Sequence, residues 1–257
     1  MAYHGLMTQN LYILTGASRG MGFSLAQQLL QAGHSVLCIS RQTNAELDLL
    51  AQKSGASVTQ WSQDLTQGVA ASERLGAWLN AQTPSAWASV TLINNAGAIP
   101  RIGPLRQADA ADLGQALRVG LEAPMQLTAA FLAATEHWGL PRKVLNISSG
   151  LGRRAMASQA AYCAAKAGMD HFTRCLALEE ALQPMGAKVC SLAPGVIDTD
   201  MQIQLRSADA SAFPDQAGFI QLKAGGQLTS AADAATRILA FLARPDFGAN
   251  PVADIRD

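Results

Sequence analysis

Short apolar runs alternate along this chain with longer stretches that carry apolar residues at helical spacing. The short runs fall at residues 11–15, 35–39, 58–61, 90–93, 143–147, 188–192 and 252–255. The helical stretches fall at residues 20–32, 46–53, 66–81, 108–137, 158–182 and 229–243. Such alternation predicts βαβ units, and a sheet of parallel strands needs helices on both faces. We therefore expect an α/β fold with a doubly wound, mostly or wholly parallel seven-stranded sheet.

Composition narrows the class of protein. The 257 residues are 49% apolar and 15% charged, which excludes a disordered chain, a coiled coil and a collagen-like fibre. The absence of a linker or a repeat favours a single domain over residues 1–257. Lys plus Arg and Asp plus Glu both number 19, so no charge excess indicates a nucleic acid or an anionic membrane as partner. We expect a small-molecule partner and a cytoplasmic location.

Cysteine and histidine spacing gives no sign of a disulfide framework or a metal site. The cysteines have no C-x-x-C pair and stand apart at Cys38, Cys163, Cys175 and Cys190. Residues 1–10 lack the pattern of a secretory signal peptide, and Met7 could begin the chain as well as Met1. No apolar run reaches the ~18 residues of a membrane-spanning helix. We therefore expect neither a metal ion nor a membrane.

A glycine-rich turn separates the first predicted strand from the first predicted helix. It reads Thr15-Gly16-Ala17-Ser18-Arg19-Gly20-Met21-Gly22. Glycines let a backbone approach a pyrophosphate closely, and a helix N-terminus offers it free N–H groups and positive potential. The spacing G-x-x-x-G-x-G differs from the G-x-G-x-x-G dinucleotide fingerprint. The turn therefore favours a dinucleotide site, with a purely structural turn as the alternative.

The residue that follows the second predicted strand is Arg41. In dinucleotide-binding folds this position meets the adenosine ribose, where an acid binds the 2′-hydroxyl and an arginine suits a 2′-phosphate. Arg41, together with Arg19, therefore favours NADPH/NADP+ as the cofactor. The alternative is a solvated arginine on the surface.

Tyr162 and Lys166 lie four residues apart in a predicted helix and share one of its faces. A nearby ammonium is expected to lower the pKa of a tyrosine below its free value of about 10. Tyr162 is then a plausible proton donor to a carbonyl oxygen that gains negative charge. Ser149, just past the fifth predicted strand, is placed to hydrogen-bond the same oxygen. A Y-x-x-x-K pattern is common by chance, so its weight comes from the other motifs.

The alternating pattern weakens between residues 196 and 228. This stretch contains Pro214 and the glycines Gly218, Gly225 and Gly226. An insertion of that length is usually functional or mobile. It follows the sixth predicted strand, at the edge where open α/β sheets bind ligands. We interpret residues 196–228 as a substrate loop that becomes ordered over bound substrate.

The motifs and their order resemble the short-chain dehydrogenase/reductase family across nearly the whole chain. The matching segments are the glycine turn, Asp64-Leu65, Asn94-Asn95-Ala96-Gly97, Asn146-Ile147-Ser148-Ser149, Tyr162-x-x-x-Lys166 and Pro194-Gly195. The resemblance implies a single-domain Rossmann fold, NADPH/NADP+ as cofactor, and a homodimer or homotetramer. The predicted helices at 108–137 and 158–182 would form the contacts between subunits.

The resemblance also implies roles for individual residues. Tyr162 would be the acid/base, Ser149 would orient and polarise the carbonyl, and Lys166 would hold the nicotinamide ribose. Asp64 and Leu65 would flank the adenine. The residues expected at the cofactor, besides Tyr162 and Lys166, are Gly16, Ser18, Arg19, Gly20, Met21, Gly22, Arg41, Asp64, Leu65, Asn95, Ala96, Gly97, Pro194, Gly195, Val196, Ile197 and Thr199.

Later segments resemble the sepiapterin reductase and benzil reductase branch of the family. They lie at residues 193–202, 222–228 and 246–257. In sepiapterin reductases an aspartate near the C-terminus anchors the pterin ring, and the match of the last twelve residues puts Asp254 there; a surface aspartate is the alternative. Met201, with Met156 and Phe213, would line a substrate pocket that suits a flat or aromatic ketone.

Gly120 departs from the family pattern. The family has an active-site asparagine at this position, which normally holds a water behind the lysine. Glycine has no side chain for this task, and within a helix it costs roughly 1 kcal/mol relative to alanine. Either a second water fills the gap or proton supply is slower. We expect reduction to survive, because Ser149, Tyr162 and Lys166 are intact.

Taken together, the motifs predict an NADPH-dependent carbonyl reductase in which Tyr162 donates the proton. The expected substrate is a compact ketone, either an α-diketone such as benzil or a pterin side-chain ketone as in sepiapterin. One alternative is a 3-oxoacyl or general alcohol-type reductase of the same family. Another is a sensor or scaffold that binds NADPH with little catalysis, for which Gly120 is the one support.

Overall fold

The structure is a computed structural model that describes residues 9–257. The choice between Met1 and Met7 as the first residue lies outside the described residues. The strands are β1 (Gln9–Thr15), β2 (Ser35–Ser40), β3 (Ser57–Ser62), β4 (Trp87–Asn94), β5 (Arg142–Ile147), β6 (Lys188–Ala193) and β7 (Val252–Asp254). They form one sheet in the order β3-β2-β1-β4-β5-β6-β7, and every pair of neighbours is parallel. The expected seven-stranded parallel sheet is confirmed.

Helices connect the strands and cover the sheet. They are α1 (Gly20–Gln31), α2 (Ala45–Ser54), α3 (Gly68–Asn80), α4 (Ala110–Leu117), α5 (Ala123–Thr135), α6 (Ala160–Ala181), α7 (Asp200–Arg206), α8 (Gln216–Ala224) and α9 (Ala231–Ala243). Local sequence sets several of their ends. The Asn44 side chain accepts a hydrogen bond from the Glu46 N–H at the start of α2, and Gly55 ends that helix in the left-handed conformation.

Two apolar layers hold the helices against the sheet. Successive side chains of a strand point to opposite faces, so Leu14 and Ile13 of β1 lie in different layers. The layer that contains Leu14 is covered by α1, α2 and α9. The layer that contains Ile13 is covered by α3, α5 and α6. The sheet is therefore doubly wound, as the alternating pattern predicts.

The strand order reverses between β1 and β4. From β1 the chain runs outward to β3, and it then returns to place β4 on the other side of β1. Open α/β sheets bind ligands at the carboxyl ends of the strands, at such a reversal. The glycine turn follows β1 and the Asn95-Ala96-Gly97 segment follows β4, so both lie at this point.

The helical stretch expected at 108–137 is not a uniform helix. A π-helical turn at Arg118–Glu122 separates α4 from α5, and Gly120 lies buried within it. A Cβ atom at Gly120 would lie 3.2 Å from the Cβ of Ala165 on α6. The wide turn brings this backbone close to α6 at a residue that has no side chain.

The stretch at 196–228 contains more regular structure than its sequence indicates. Both α7 and α8 lie within it. Phe213 is fully buried and stacks on Phe219 with ring centroids 5.7 Å apart. The expectation that Phe213 lines the substrate pocket is wrong, because this ring forms the core of the segment itself.

The close packing of the glycine turn predicts a stability difference between two helical glycines. A Cβ at Gly22 in α1 would collide with the carbonyl oxygen of Gly16, whereas nothing lies within 4 Å of a Cβ at Gly114 in α4. We expect Gly22→Ala to lower the free energy of unfolding by about 1–3 kcal/mol. The matched variant Gly114→Ala should raise it by up to about 1 kcal/mol. Urea unfolding measures both, and equal stability of the two variants would contradict the packing argument.

Candidate active site

The glycine turn is held against β2 by its own backbone. The Gly16 N–H donates to the Ile39 carbonyl at 2.8 Å, and the Ala17 N–H donates to the Ser40 hydroxyl at 2.8 Å. Gly16 and Gly20 have φ values of +74° and +57°, which side chains rarely adopt. The turn therefore leads into the N-terminus of α1 in a conformation that glycine permits.

The segment after β4 is joined to the same turn. The Thr15 hydroxyl accepts hydrogen bonds from the N–H groups of Asn95 at 3.0 Å and Ala96 at 2.9 Å, and the Asn95 side chain donates to the Thr15 carbonyl at 2.9 Å. A Cβ at Gly16 would lie 3.0 Å from the Ala96 Cα. Thus the two segments touch, and Gly16 leaves no room for a side chain between them.

Lys166 lies beside this junction. It is 4% exposed, and its ammonium donates to the Ile147 carbonyl at 2.7 Å. A Cβ at Gly97 would lie 3.9 Å from the Lys166 Nζ atom. Burial lowers the pKa of Lys166 to about 8, while the nearby Asp170 carboxylate acts in the opposite direction. The ammonium is therefore poorly solvated and close to the end of β4.

Tyr162 lies one turn before Lys166 on α6, and Ser149 follows β5. The Lys166 Nζ atom is 5.8 Å from the centre of the Tyr162 ring. Burial raises the pKa of Tyr162, and hydrogen bonding with Ser149 only partly offsets this. The expected lowering by the lysine is thus wrong: burial of the phenol dominates, and the ammonium points to the Ile147 carbonyl. A raised pKa keeps Tyr162 protonated at neutral pH.

The segment after β6 reaches the glycine turn from the other side. Pro194 and Gly195 end the strand, Gly195 has a φ of +85°, and the Ile197 backbone pairs with Thr229. The Thr199 methyl group would lie 3.8 Å from a Cβ at Gly20. Val196 is half-buried within the same segment. The structure therefore brings this expected cofactor segment to the start of α1.

Arg19 and Arg41 were both expected at the cofactor, and among the described residues the structure pairs the side chain of the first but not that of the second. Arg19 forms an exposed ion pair with Asp200 at 2.9 Å, which links the start of α1 to the start of α7. The exposed Arg41 follows β2, and its carbonyl accepts a hydrogen bond from Ser62 at 2.9 Å. Its guanidinium has no hydrogen-bond partner or ion pair within residues 9–257. Arg41 is therefore free to meet a ligand.

The remaining expected residues divide between the surface and the core. Asp64 is exposed and accepts a hydrogen bond from the Thr66 N–H at 2.9 Å, whereas Leu65 is buried in the layer below α3. Ser18 is half-buried, and its carbonyl accepts a hydrogen bond from the Asn44 side chain at 3.1 Å. Met21 is buried in the layer that contains α1.

Asp254 and Met201 were expected at the substrate. Met201 is half-buried in α7. The Asp254 side chain is 11% exposed, and both of its oxygens accept hydrogen bonds from Arg256, at 2.7 and 2.6 Å. Arg256 holds the pKa of Asp254 below its usual range, so this carboxylate is ionised and already paired.

A buried carboxylate, which the sequence reasoning missed, lies one turn beyond Lys166. Asp170 is 1% exposed and accepts hydrogen bonds from Ser148 at 2.6 Å, Ser191 at 2.7 Å and Arg153 at 3.1 Å. It joins the loop that carries Ser149 to α6 and β6. The spacing Tyr162-Lys166-Asp170, four residues at each step, is the signal that could have revealed it.

Gln159 is a second residue that the sequence reasoning missed. It lies one turn before Tyr162, is 1% exposed, and has neither amide atom paired within the described residues. Buried amides are nearly always hydrogen-bonded. Its amide is therefore a buried polar group without a partner in the described part of the chain, next to the helix turn that carries Tyr162.

A cavity of about 650 Å³ lies between residues 99–108 and residues 204–212. Ser158 connects the two walls: the Gly103 N–H donates to its carbonyl at 3.4 Å, and its hydroxyl donates to the Ala212 carbonyl at 2.5 Å. Ser158 has a φ of +63° and lies one turn before Tyr162. The strained serine thus fixes the segment at 204–212 relative to the start of α6.

The pKa of Lys166 predicts how stability depends on pH. The Lys166 ammonium has its ordinary pKa of 10.5 in the unfolded chain and a pKa of about 8 in the folded chain. The unfolded state therefore binds more protons between these values, and stability rises with pH there. We expect the stability of the wild type relative to Lys166→Met to increase from about pH 8 to about pH 10 in urea unfolding. A constant difference would show that Lys166 titrates normally.

None of the helices within residues 9–257 is long and apolar enough to cross a membrane. In the same part of the chain, no cluster of three or more His, Cys, Asp or Glu side chains could hold a metal ion.

The known proteins that this chain resembles agree with one another in the type of protein they indicate. The family pattern described as short chain dehydrogenase matches residues 10–210. A benzil reductase ((S)-benzoin forming) of Bacillus cereus is 35% identical over 91% of this chain and 94% of its own. The sepiapterin reductase of Rattus norvegicus is 32% identical over 95% of each chain.

A solved structure agrees with these sequence relatives. It is a candidate 2-deoxy-d-gluconate 3-dehydrogenase of Agrobacterium tumefaciens with bound NADP, with a TM-score of 0.78 and 26% identity over 96% of this chain and 95% of that one. The fold, the family match and the curated relatives agree. The chain belongs to the short-chain dehydrogenase/reductase family of oxidoreductases.

Proposed function

We propose that this protein is an NADPH-dependent reductase of compact ketones, with an α-diketone of the benzil type as its substrate class. The observation that carries the proposal is the grouping of Ser149, Tyr162 and Lys166 at the edge where the glycine turn, the end of β4 and the segment after β6 meet. These three residues supply the polar and acid groups that a carbonyl needs, beside a cradle for a dinucleotide.

The cradle fits NADPH by its shape and by its charge. Gly16 leaves no space for a side chain beside Ala96, and Gly97 leaves open space beside the Lys166 ammonium. The start of α1 offers N–H groups to a pyrophosphate. The guanidinium of Arg41, which is unpaired within residues 9–257, suits a 2′-phosphate, and so does that of Arg19 if it exchanges its ion pair with Asp200. If the cofactor were NAD, an acidic residue would be expected in place of Arg41.

The mechanism assigns one task to each polar residue. When bound, NADPH supplies the hydride. Ser149 donates a hydrogen bond to the carbonyl oxygen, which favours the charge that develops there. Tyr162 passes its phenolic proton to this oxygen, and its raised pKa keeps the proton in place at neutral pH until the oxygen becomes basic. Lys166 binds the nicotinamide ribose through its ammonium, which is held in place by the Ile147 carbonyl.

The pairing of Asp254 favours a diketone over a pterin. A pterin ring anchored on Asp254 would have to share this carboxylate with Arg256, which donates to both of its oxygens at 2.7 and 2.6 Å. An α-diketone needs no such anchor. We propose that it enters beside Met201 and the cavity next to Ser158, and that residues 196–228 form the substrate loop.

Two further features support the expected assembly and location. Apolar side chains are exposed on the outer helices, with Leu178 of α6 at 73%, Leu182 directly after α6 at 83% and Met125 of α5 at 42%. Exposed apolar surface of this kind favours a homodimer or homotetramer. The four cysteines are all free, which suits the reducing cytoplasm.

The first experiment follows NADPH absorbance against benzil, a pterin ketone and an acetoacetyl thioester, with NADH in parallel. We expect the highest kcat/KM for the diketone with NADPH. Tyr162→Phe should lower kcat by about 100-fold or more while NADPH binding persists, because the variant loses only the acid. Preference for the thioester would indicate a 3-oxoacyl reductase. NADPH binding without turnover of any ketone would instead favour a sensor.

A second experiment tests Gly120. Both Gly120→Asn and Gly120→Ala place a Cβ 3.2 Å from that of Ala165, so the alanine variant controls for the cost of that contact. Only asparagine can also hold a water near Lys166. We expect Gly120→Asn to keep or raise kcat relative to the wild type and to exceed Gly120→Ala in a steady-state assay. A large and equal loss in both variants would mean that the space at Gly120 is itself required.

A further inference from the structure

A second cavity lies at the amino ends of the strands, on the opposite edge of the sheet from the active site. Its volume is about 340 Å³. Its floor is formed by side chains of β1, β4 and β5, and its roof by the last turns of α1 and α9. We call it the amino-edge chamber. The catalytic residues make no contribution to it.

The floor of the amino-edge chamber is a row of polar side chains. Tyr12 pairs in register with Thr91, and Thr91 pairs with Lys143, so the three lie side by side on one face of the sheet. Asn10 and Ser89 form the next row and hydrogen-bond each other at 2.8 Å. A parallel sheet covered on both faces usually presents apolar side chains throughout.

The polarity is confined to this end of the face. Two residues further along the strands, the equivalent row is apolar and consists of Leu14, Ile93 and Leu145. The roof above the polar row contains Leu29 from α1 and Leu239 from α9, beside Gln28, whose amide is paired with Ala232 and Thr236. The chamber therefore combines a polar floor with a largely apolar roof.

Lys143 supplies the one full charge in the chamber. Its ammonium donates to the Leu242 carbonyl at 2.7 Å and lies 5.2 Å from the centre of the Phe247 ring. An ammonium has three protons to donate, so two remain. No Asp or Glu lines the chamber, and Lys143 has no ion pair within residues 9–257. The charge lacks an anionic partner among the described residues.

Neutral hydrogen-bonding groups surround this charge. The side chains of Tyr12, Thr91 and His34 face the chamber, and none of them forms a hydrogen bond within the described part of the chain. Burial lowers the pKa of His34, so its imidazole is neutral at pH 7. Burial also raises the pKa of Tyr12, which remains a hydroxyl donor.

The helix ends determine how much negative charge the chamber accepts. Both α1 and α9 direct their C-termini towards it, and a helix C-terminus carries partial negative charge. These ends disfavour a dianion such as a phosphate. A single ammonium can balance one negative charge beside them.

We propose that the amino-edge chamber binds a small monocarboxylate that carries an apolar body. The carboxylate accepts hydrogen bonds from Lys143 and from the hydroxyls of Tyr12 and Thr91. The apolar body packs against Leu29 and Leu239. A cavity of about 150 Å³ already accommodates a benzene ring, so the chamber has room for an aromatic or short aliphatic acid.

The test uses benzoate as the probe and benzamide as its neutral counterpart, with calorimetric titration of the full chain. Lys143→Met removes the charge and keeps the length of the side chain. Lys188→Met is the matched control, because Lys188 pairs in register with Lys143 but lies outside the chamber. We expect benzoate to bind the wild type and Lys188→Met alike and to bind Lys143→Met about tenfold or more weakly.

A second measurement needs no variant. Titration of the wild type with benzoate should shift the NMR signals of the His34 ring, while those of the exposed His137 and His171 stay in place. Equal affinity for benzamide, equal affinity of Lys143→Met, or binding without a shift at His34 would overturn the proposal. So would the absence of saturable binding to the wild type. None of these readouts depends on carbonyl reduction.

Discussion

Hydrogen bonds between Thr15 and the segment at Asn95 and Ala96 hold together the two strands at which the sheet reverses its order. Parallel pairing fixes β1 and β4 along their lengths but not the loops beyond their ends. The Thr15 hydroxyl extends the contact by accepting two N–H groups at once. Gly16 is tolerated there because it has no side chain to separate the segments. The width of the crevice at this edge therefore follows from one hydroxyl and one glycine.

The buried Asp170 carboxylate connects the catalytic loop to the far side of the sheet. Its desolvation is costly, and hydrogen bonds from Ser148, Ser191 and Arg153 offset that cost. Arg153 also donates to the Ala253 carbonyl of β7 at 2.8 Å. Through this network the loop that carries Ser149 is held by the last strand of the sheet, although the two are far apart in sequence.

The fold and much of the site could be predicted because their signals are local. The apolar run of β5 predicts a strand from a few residues, and the glycines predict the turn in the same way. The four-residue spacing of Tyr162 and Lys166 put both on one face of a helix. The direction of the Tyr162 pKa could not be predicted, since it depends on burial by surrounding elements rather than on the lysine alone.

Other features depend on contacts that no short stretch of sequence contains. Phe213 is buried in the core of its segment because it stacks on Phe219. Asp254 is paired because the chain turns back and places Arg256 beside it. The polar floor of the amino-edge chamber appears only when β1, β4 and β5 are placed in register. In the sequence, Tyr12, Thr91 and Lys143 are single polar residues within apolar strands. Nothing in the sequence around one of them indicates that it lies beside the other two.

The π turn at Arg118–Glu122 sets the rotational phase of the helix that follows it. Each residue advances an α-helix by about 100°, and a π turn contains one residue more than an ordinary turn. Before the turn, α4 packs against α6; after it, α5 packs against α3. A uniform helix would present one continuous stripe to a single neighbour. Deleting one residue of the turn would leave every residue helical and yet rotate the apolar stripe of α5 away from α3.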